Sequence, residues 1–75
     1  MTTDQARAHL EGMRNDFRGQ ASACRNAADE YRRAAGGSED SALASVQFDQ
    51  SSSFAAQARA FDRDADAIDI VLREH

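Results

Sequence analysis

The arginines in the first half of the chain have a spacing that suits recognition of an anion. Four of them form a candidate site for a partner or an anion: Arg14, Arg18, Arg25 and Arg32. The last three recur every seven residues, so on a helix they lie along one side. Guanidinium forks in such a row bind carboxylate or phosphate groups. The alternative is that these arginines pair with acids of a neighbouring helix or subunit, such as Asp49, Asp62 or Asp64.

Two glycines add to the interest of this segment. Gly12 and Gly19 are also seven residues apart. Each costs a helix about 1 kcal/mol relative to alanine. Glycine at both positions suggests that another molecule approaches the helix backbone closely. We therefore include Gly12 and Gly19 in the candidate binding site.

The acidic segment Asp62-Arg63-Asp64-Ala65-Asp66 begins like the calcium loop of an EF-hand. The similarity then fails, because Ala67 stands where the loop needs glycine and Arg73 where it needs a bidentate glutamate. The segment instead predicts a solvated acidic helix face. On that face the acids Asp62, Asp66 and Asp69 would pair along the helix with Arg59, Arg63 and Arg73.

Histidine and cysteine are too sparse to suggest catalysis or metal binding. His9, His75 and Cys24 are the only candidates, and their spacing matches no common metal motif. Cys24 is best interpreted as a small buried hydrophobe. We predict no catalytic residues, no metal site and no cofactor.

These residues are expected to lie on two long helices of one helical-hairpin domain, 1–75. The composition, with no proline and 16 alanines, favours helix. Gly36-Gly37 predicts a turn at 36–38, with a left-handed glycine ending a helix over about 3–35. Ser38 would cap a second helix over about 39–74, and Thr2 with Gln5 would form a capping box at the first. Three serines, Ser51–Ser53, leave open a break in the second helix.

Both predicted helices carry a stripe with alternating spacings of four and three residues. In the first helix the stripe is Ala6, Leu10, Met13, Phe17, Gln20, Cys24, Ala27, Tyr31 and Ala34. In the second it is Ala44, Gln47, Ser51, Phe54, Ala58, Phe61, Ala65, Ile68 and Leu72. This repeat is typical of a coiled-coil-like heptad seam between antiparallel helices. With the turn near residue 37, residues whose numbers sum to about 74 would lie level, which puts Met13 near Phe61 and Phe17 near Ala58.

The second helix has a further stripe of small and apolar residues that one neighbouring helix cannot cover. We assign it to an oligomer interface: Val46, Ala56, Ala60, Ala67, Ile70 and Val71. A chain of 75 residues with so many alanines also has little apolar side chain to bury. The expected assembly is an all-α four-helix bundle made by a homodimer, or a higher oligomer.

Charge and composition narrow the choice of function. The net charge of −4 disfavours nucleic-acid binding, and no apolar run is long enough to cross a membrane. A single cysteine and no visible signal peptide suggest the cytoplasm. The sequence therefore predicts a non-catalytic, oligomeric protein-binding module, which would act as an adaptor, regulator or inhibitor and would suit a phage or mobile element. The alternative is an oligomeric sponge whose arginines sequester a phosphate-bearing small molecule.

Overall fold

The chain forms a hairpin of two long helices. The computed structural model describes residues 3–74, with α1 at Asp4–Gly37 and α2 at Ser41–Glu74. The helices pack antiparallel along their length in a rod of 58 × 14 × 12 Å, and residues 3–74 contain no strand. The predicted all-α helical hairpin is confirmed.

Thr3 caps the start of α1. Its hydroxyl accepts a hydrogen bond from the backbone N–H of Ala6 at 3.1 Å, which satisfies one of the unpaired N–H groups of the first turn. Thr2, to which the capping box was assigned, lies outside the described residues. Asp4 adds a negative charge in the first turn, where the helix dipole favours it.

The connection lies two residues later than predicted. α1 continues through Gly36 and Gly37, neither of which has a positive φ, and it ends at Ser38 with φ −84° and ψ 132°. The prediction of a turn at 36–38 with a left-handed glycine is therefore wrong. The extended Ser38 ends the helix instead, and the connection is residues 38–40.

Asp40 rather than Ser38 caps α2. The Asp40 carboxylate accepts hydrogen bonds from the N–H groups of Ala42 and Leu43 at 3.0 and 3.2 Å. A carboxylate is a stronger acceptor than a hydroxyl and its charge suits the helix N-terminus. The Ser38 hydroxyl supports this cap by donating to the Asp40 carbonyl at 3.2 Å.

α2 runs without a break through the three serines. Ser51 is buried against α1, and its hydroxyl donates to the Ala28 carbonyl at 2.8 Å. Because this hydroxyl is hydrogen-bonded to α1, it does not compete for the backbone hydrogen bonds of α2. The open question of a break at Ser51–Ser53 is settled in favour of a continuous helix.

The inner face of α2 is the predicted one, whereas that of α1 is only partly so. Leu10, Phe17, Cys24 and Ala27 of the predicted α1 stripe are half-buried, but the centre of the contact is rotated. All nine residues of the predicted α2 stripe are buried or half-buried. On α1 the buried residues are Ala21, Ala28 and Ala35, one position after the predicted Gln20, Ala27 and Ala34. Gln20 and Ala34 are exposed, as are Ala6 and Met13. Alanines at the contact let the two backbones approach closely, and this packing keeps the amide of Gln20 in water.

The shift of the connection also changes the register. Phe61, expected opposite Met13, stacks on Phe17 with ring centroids 6.1 Å apart. Two pairs of residues show which positions lie opposite each other. The numbers of Phe17 and Phe61 add up to 78, and those of Ala28 and Ser51 add up to 79. A connection centred on residue 39 requires this sum, because opposite residues are equally distant from the turn.

Candidate functional site

One edge of the hairpin is lined by arginines of α1 and aspartates of α2. Arg14 contacts Asp69 at 3.1 Å, and Arg18 reaches Asp69 at 2.6 Å, Asp66 at 3.1 Å and Asp62 at 3.7 Å. We call this the charged edge. Three acids therefore surround the guanidinium of Arg18.

The Arg18 cluster shifts the proton affinities of its members. Hydrogen bonds to Asp69 and Asp66 raise the pKa of the Arg18 guanidinium above its ordinary value. Hydrogen bonds from Arg18 and Arg14 lower the pKa of the Asp69 carboxyl below its ordinary value. Both groups are therefore charged at neutral pH and held together across the helix interface.

The charged edge continues at Arg25, which forms an ion pair with Asp62. The expected pairing with a neighbouring helix is thus seen for Asp62, whereas Asp49 and Asp64 form no ion pair within residues 3–74. Asp66 and Asp69 were missed as partners, because the acids had been expected to pair along α2. Their spacing from Asp62, at four and seven residues, was the available signal for a common face.

Arg32 continues the arginine series but has no acid partner. No ion pair within 4.0 Å joins Arg32 to a carboxylate in the described part of the chain. It lies instead beside a groove between the helices that Arg25 and Arg59 also line. Of the four predicted arginines, three are therefore engaged with acids and one is not.

Gly12 and Gly19 face open space on α1. A Cβ built at either position meets no atom within 4 Å outside the local helix. Gly19 follows Arg18 directly and so lies about 100° around the helix from it. The structure therefore places the two glycines apart from the charged edge.

The opposite edge of the hairpin is apolar. On α1, Gln20, Ala27 and Ala34 precede the buried alanines by one position, so they lie on the other side of the contact from Arg18 and Arg25. The exposed large apolar side chains on this side are Met13, Tyr31, Leu43, Val46 and Val71. We call this surface the apolar edge.

Aromatic rings lie next to the apolar edge and are only partly covered. Phe17 stacks on Phe61, and Tyr31 stacks on Phe54 with centroids 5.7 Å apart. Phe17, Phe54 and Phe61 are half-buried, and Tyr31 is 38 % exposed. One hairpin therefore leaves part of each ring pair in water.

All six residues of the predicted oligomer interface are exposed on α2. Val46, Ile70 and Val71 are the large ones, with exposures of 55, 48 and 41 %. Leu43 and Phe48 are exposed to a similar degree and were not predicted. Neither belongs to the stripe of small and apolar residues that includes Val46, so the pattern did not mark them.

The remaining reactive residues of α1 lie on the side that carries the apolar edge. Cys24 is seven residues from both Phe17 and Tyr31, and His9 is five full helical turns before Ala27. Cys24 is half-buried, and its thiol donates to the Gln57 side-chain carbonyl at a sulfur–oxygen distance of 4.0 Å. His9 is exposed, and His75 lies outside the described residues. Within residues 3–74, no three side chains of histidine, cysteine, aspartate or glutamate converge as metal ligands.

Neither α1 nor α2, as described, contains an apolar stretch long enough to cross a membrane. The sequence matches no protein-family model, and neither curated proteins nor solved structures give a significant match to it.

Proposed function

We propose that this chain is a non-catalytic protein-binding module that works as a homo-oligomer. Two hairpins would pack through their apolar edges into a four-helix bundle with coiled-coil-like heptad contacts. The outer helix faces of the bundle would bind a partner protein, which makes the assembly an adaptor, regulator or inhibitor. We place it in the cytoplasm, since its single cysteine cannot form an internal disulfide.

The composition of the buried core carries this proposal. The buried apolar residues of the described chain are five alanines and Leu72, and no large side chain is fully buried. A large apolar side chain contributes about 1.5–3 kcal/mol when it is fully removed from water. Ordering the backbone costs about 1–2 kcal/mol per residue. A second hairpin on the apolar edge would complete the burial of the aromatic rings and so offset this cost.

The predicted interface residues extend the apolar edge around α2. Val46 lies three residues after Leu43, and Ala67 lies four residues before Val71, so each pair is adjacent on the helix surface. The small side chain of Ala60, between them, permits close approach of another helix. Ala56 and Ile70 lie further around α2, where they suit a partner protein or a larger oligomer.

The absence of catalysis is part of the same proposal. The ion pairs of the charged edge support this part of the proposal. Arg14, Arg18 and Arg25 are each paired with an aspartate. Arginine and aspartate in ion pairs are poor general acids or bases near neutral pH.

The decisive experiment measures the mass of the folded protein in solution. Sedimentation equilibrium at micromolar concentration should give at least twice the 8.2 kDa of the chain. Met13→Glu and Val71→Glu should each shift the protein towards monomer, because each places a charge on the apolar edge. Ser45→Glu, at an exposed position on α2 outside this edge, is the matched control. A folded 8.2 kDa species that melts cooperatively and independently of concentration would refute the proposal.

A second candidate function is sequestration of a phosphate-bearing small molecule. Aspartates already pair with Arg14 and Arg18, which argues against sequestration by these two arginines. The observation in its favour is Arg32, which has no acid partner beside the groove. Mass spectrometry of the protein purified under native conditions tests for a retained nucleotide or other phosphate compound. Its absence from freshly purified protein would count against sequestration.

A further inference from the structure

A groove on the charged edge collects three guanidinium groups. It lies between the helices near the middle of the hairpin and has a volume of about 230 Å³. Its lining residues are Arg25, Arg32 and Arg59, with Asp29, Ser51 and three alanines, Ala28, Ala55 and Ala58. The small residues leave space that longer side chains would fill. The groove is therefore a depression with apolar walls and a basic rim.

The groove forms where an arginine of α1 has no aspartate opposite it on α2. Arg18 pairs with Asp69 and Arg25 pairs with Asp62, so a step of seven residues on α1 matches a step of seven on α2. The next step pairs Arg32 with position 55, which is alanine. A methyl group at this position removes the expected carboxylate and opens the space beside Arg32.

Arg59 adds a second guanidinium that no acid engages. No ion pair within 4.0 Å links it to a carboxylate in residues 3–74, as for Arg32. The lining contains three arginines against one aspartate, Asp29. Asp62 pairs with Arg25, so Arg32 and Arg59 are the two lining arginines without an ion pair among the described residues, whereas the whole chain has a net charge of −4. The groove is therefore a locally basic site on an acidic protein.

We infer that this groove binds a phosphate or diphosphate group, held mainly by Arg32 and Arg59. Guanidinium forks give bidentate hydrogen bonds to such oxyanions. The volume is below the range of about 300–1,000 Å³ typical of drug-sized ligands, so it suits the phosphate part of a ligand. This site rests on the second candidate function, sequestration of a phosphate compound, and assigns it to the groove instead of to Arg14 and Arg18. It does not depend on oligomerisation, since one chain supplies every lining residue.

The test is calorimetric titration of the full chain with inorganic pyrophosphate, with ionic strength held constant by sodium chloride. We expect saturable binding at one site per chain. Arg32→Ala and Arg59→Ala should each weaken it about tenfold, because each removes charge-assisted hydrogen bonds. Arg33→Ala and Arg63→Ala are the matched controls, since these neighbouring arginines do not line the groove. They should bind like the unsubstituted protein.

Ala55→Asp is the sharper variant. It supplies the carboxylate that the series lacks, so it should pair with Arg32 and abolish pyrophosphate binding while the helical circular dichroism is retained. Titration with ADP identifies the source of the phosphate. Tighter binding than that of pyrophosphate indicates a nucleotide, and equal binding indicates the free anion, with the groove supported in both cases.

Three results would overturn the inference. They are the absence of saturable pyrophosphate binding, equal loss in the Arg32 and Arg33 variants, and unchanged binding by Ala55→Asp. Failure of the sequestration function gives a different result. In that case the groove binds pyrophosphate, but the purified protein retains no cellular phosphate compound. Conversely, a retained compound that both Arg32→Ala and Arg59→Ala leave in place would refute the groove alone.

Discussion

Replacing Gly12 and Gly19 by alanine should stabilise the protein markedly. Both residues lie inside α1, and a Cβ at either position meets no atom within 4 Å. The substitution therefore adds helix propensity without a clash. Each should contribute about 1 kcal/mol to the free energy of unfolding, and the pair about 2 kcal/mol, because the positions are independent.

The expected change is large enough for a simple thermal melt. For a chain of this size, 1 kcal/mol corresponds to about 4–8 °C in Tm, so the double variant should melt at least about 8 °C higher. The melts must be made at one protein concentration, since Tm of an oligomer depends on concentration. Ala23→Gly, at an exposed position of the same helix, is the matched control and should lower Tm by about as much as one glycine replacement raises it.

The result also reports on what covers this side of α1. An unchanged or lowered Tm in the double variant would show that another chain packs against the glycines in the assembled protein, and the reasoning from open space would be refuted. A raised Tm combined with loss of a partner protein in a pull-down would support the prediction that Gly12 and Gly19 lie at a partner contact.

Two further predictions concern the charged edge and the core. The lowered pKa of Asp69 means that its ion pairs stabilise the folded protein at neutral pH, and that this contribution is lost as the pH falls from about 4 through the lowered pKa of the folded state. The stability difference between the unsubstituted protein and Asp69→Asn, measured by urea unfolding, should therefore vanish in strong acid and shrink in high salt, whereas Asp64→Asn should show little difference at any pH. Ala65 is fully buried between the helices, so Ala65→Leu should destabilise the protein by about 1–3 kcal/mol in the same assay. Ala8→Leu, at an exposed position of α1 outside both edges, should leave the stability unchanged, and equal effects of the two leucines would contradict the assigned core.

The second helix was easier to predict than the first because its pattern has one solution. Phe54, Phe61 and Ile68 alternate with small residues, and shifting this pattern by one position would expose all three. In α1 the alanines at 27 and 28, and again at 34 and 35, make two neighbouring faces nearly equivalent. The sequence pattern could not choose between them, and the contact with α2 selected Ala28 and Ala35.

The partners of the arginines depended on the register between the helices. The sequence predicted the turn at the two glycines. With that turn, the residues predicted to lie opposite each other on the two helices differ by several positions from those that do. The Asp40 cap and the extended Ser38 fix the actual connection. This shift brings Asp69 to Arg18 and leaves Arg32 opposite Ala55.

Local patterns were sufficient for the two helices, their antiparallel arrangement and the inner stripe of α2, because helix propensity and periodicity act within a few turns of chain. The charged edge, the apolar edge and the basic groove required the packed structure. Each combines residues of both helices that are 12 to 58 positions apart in the sequence, so its composition depends on the rotation and register of one helix against the other. Those two quantities are set by the close contact of small side chains and by the connection, and neither leaves a distinct pattern in the sequence.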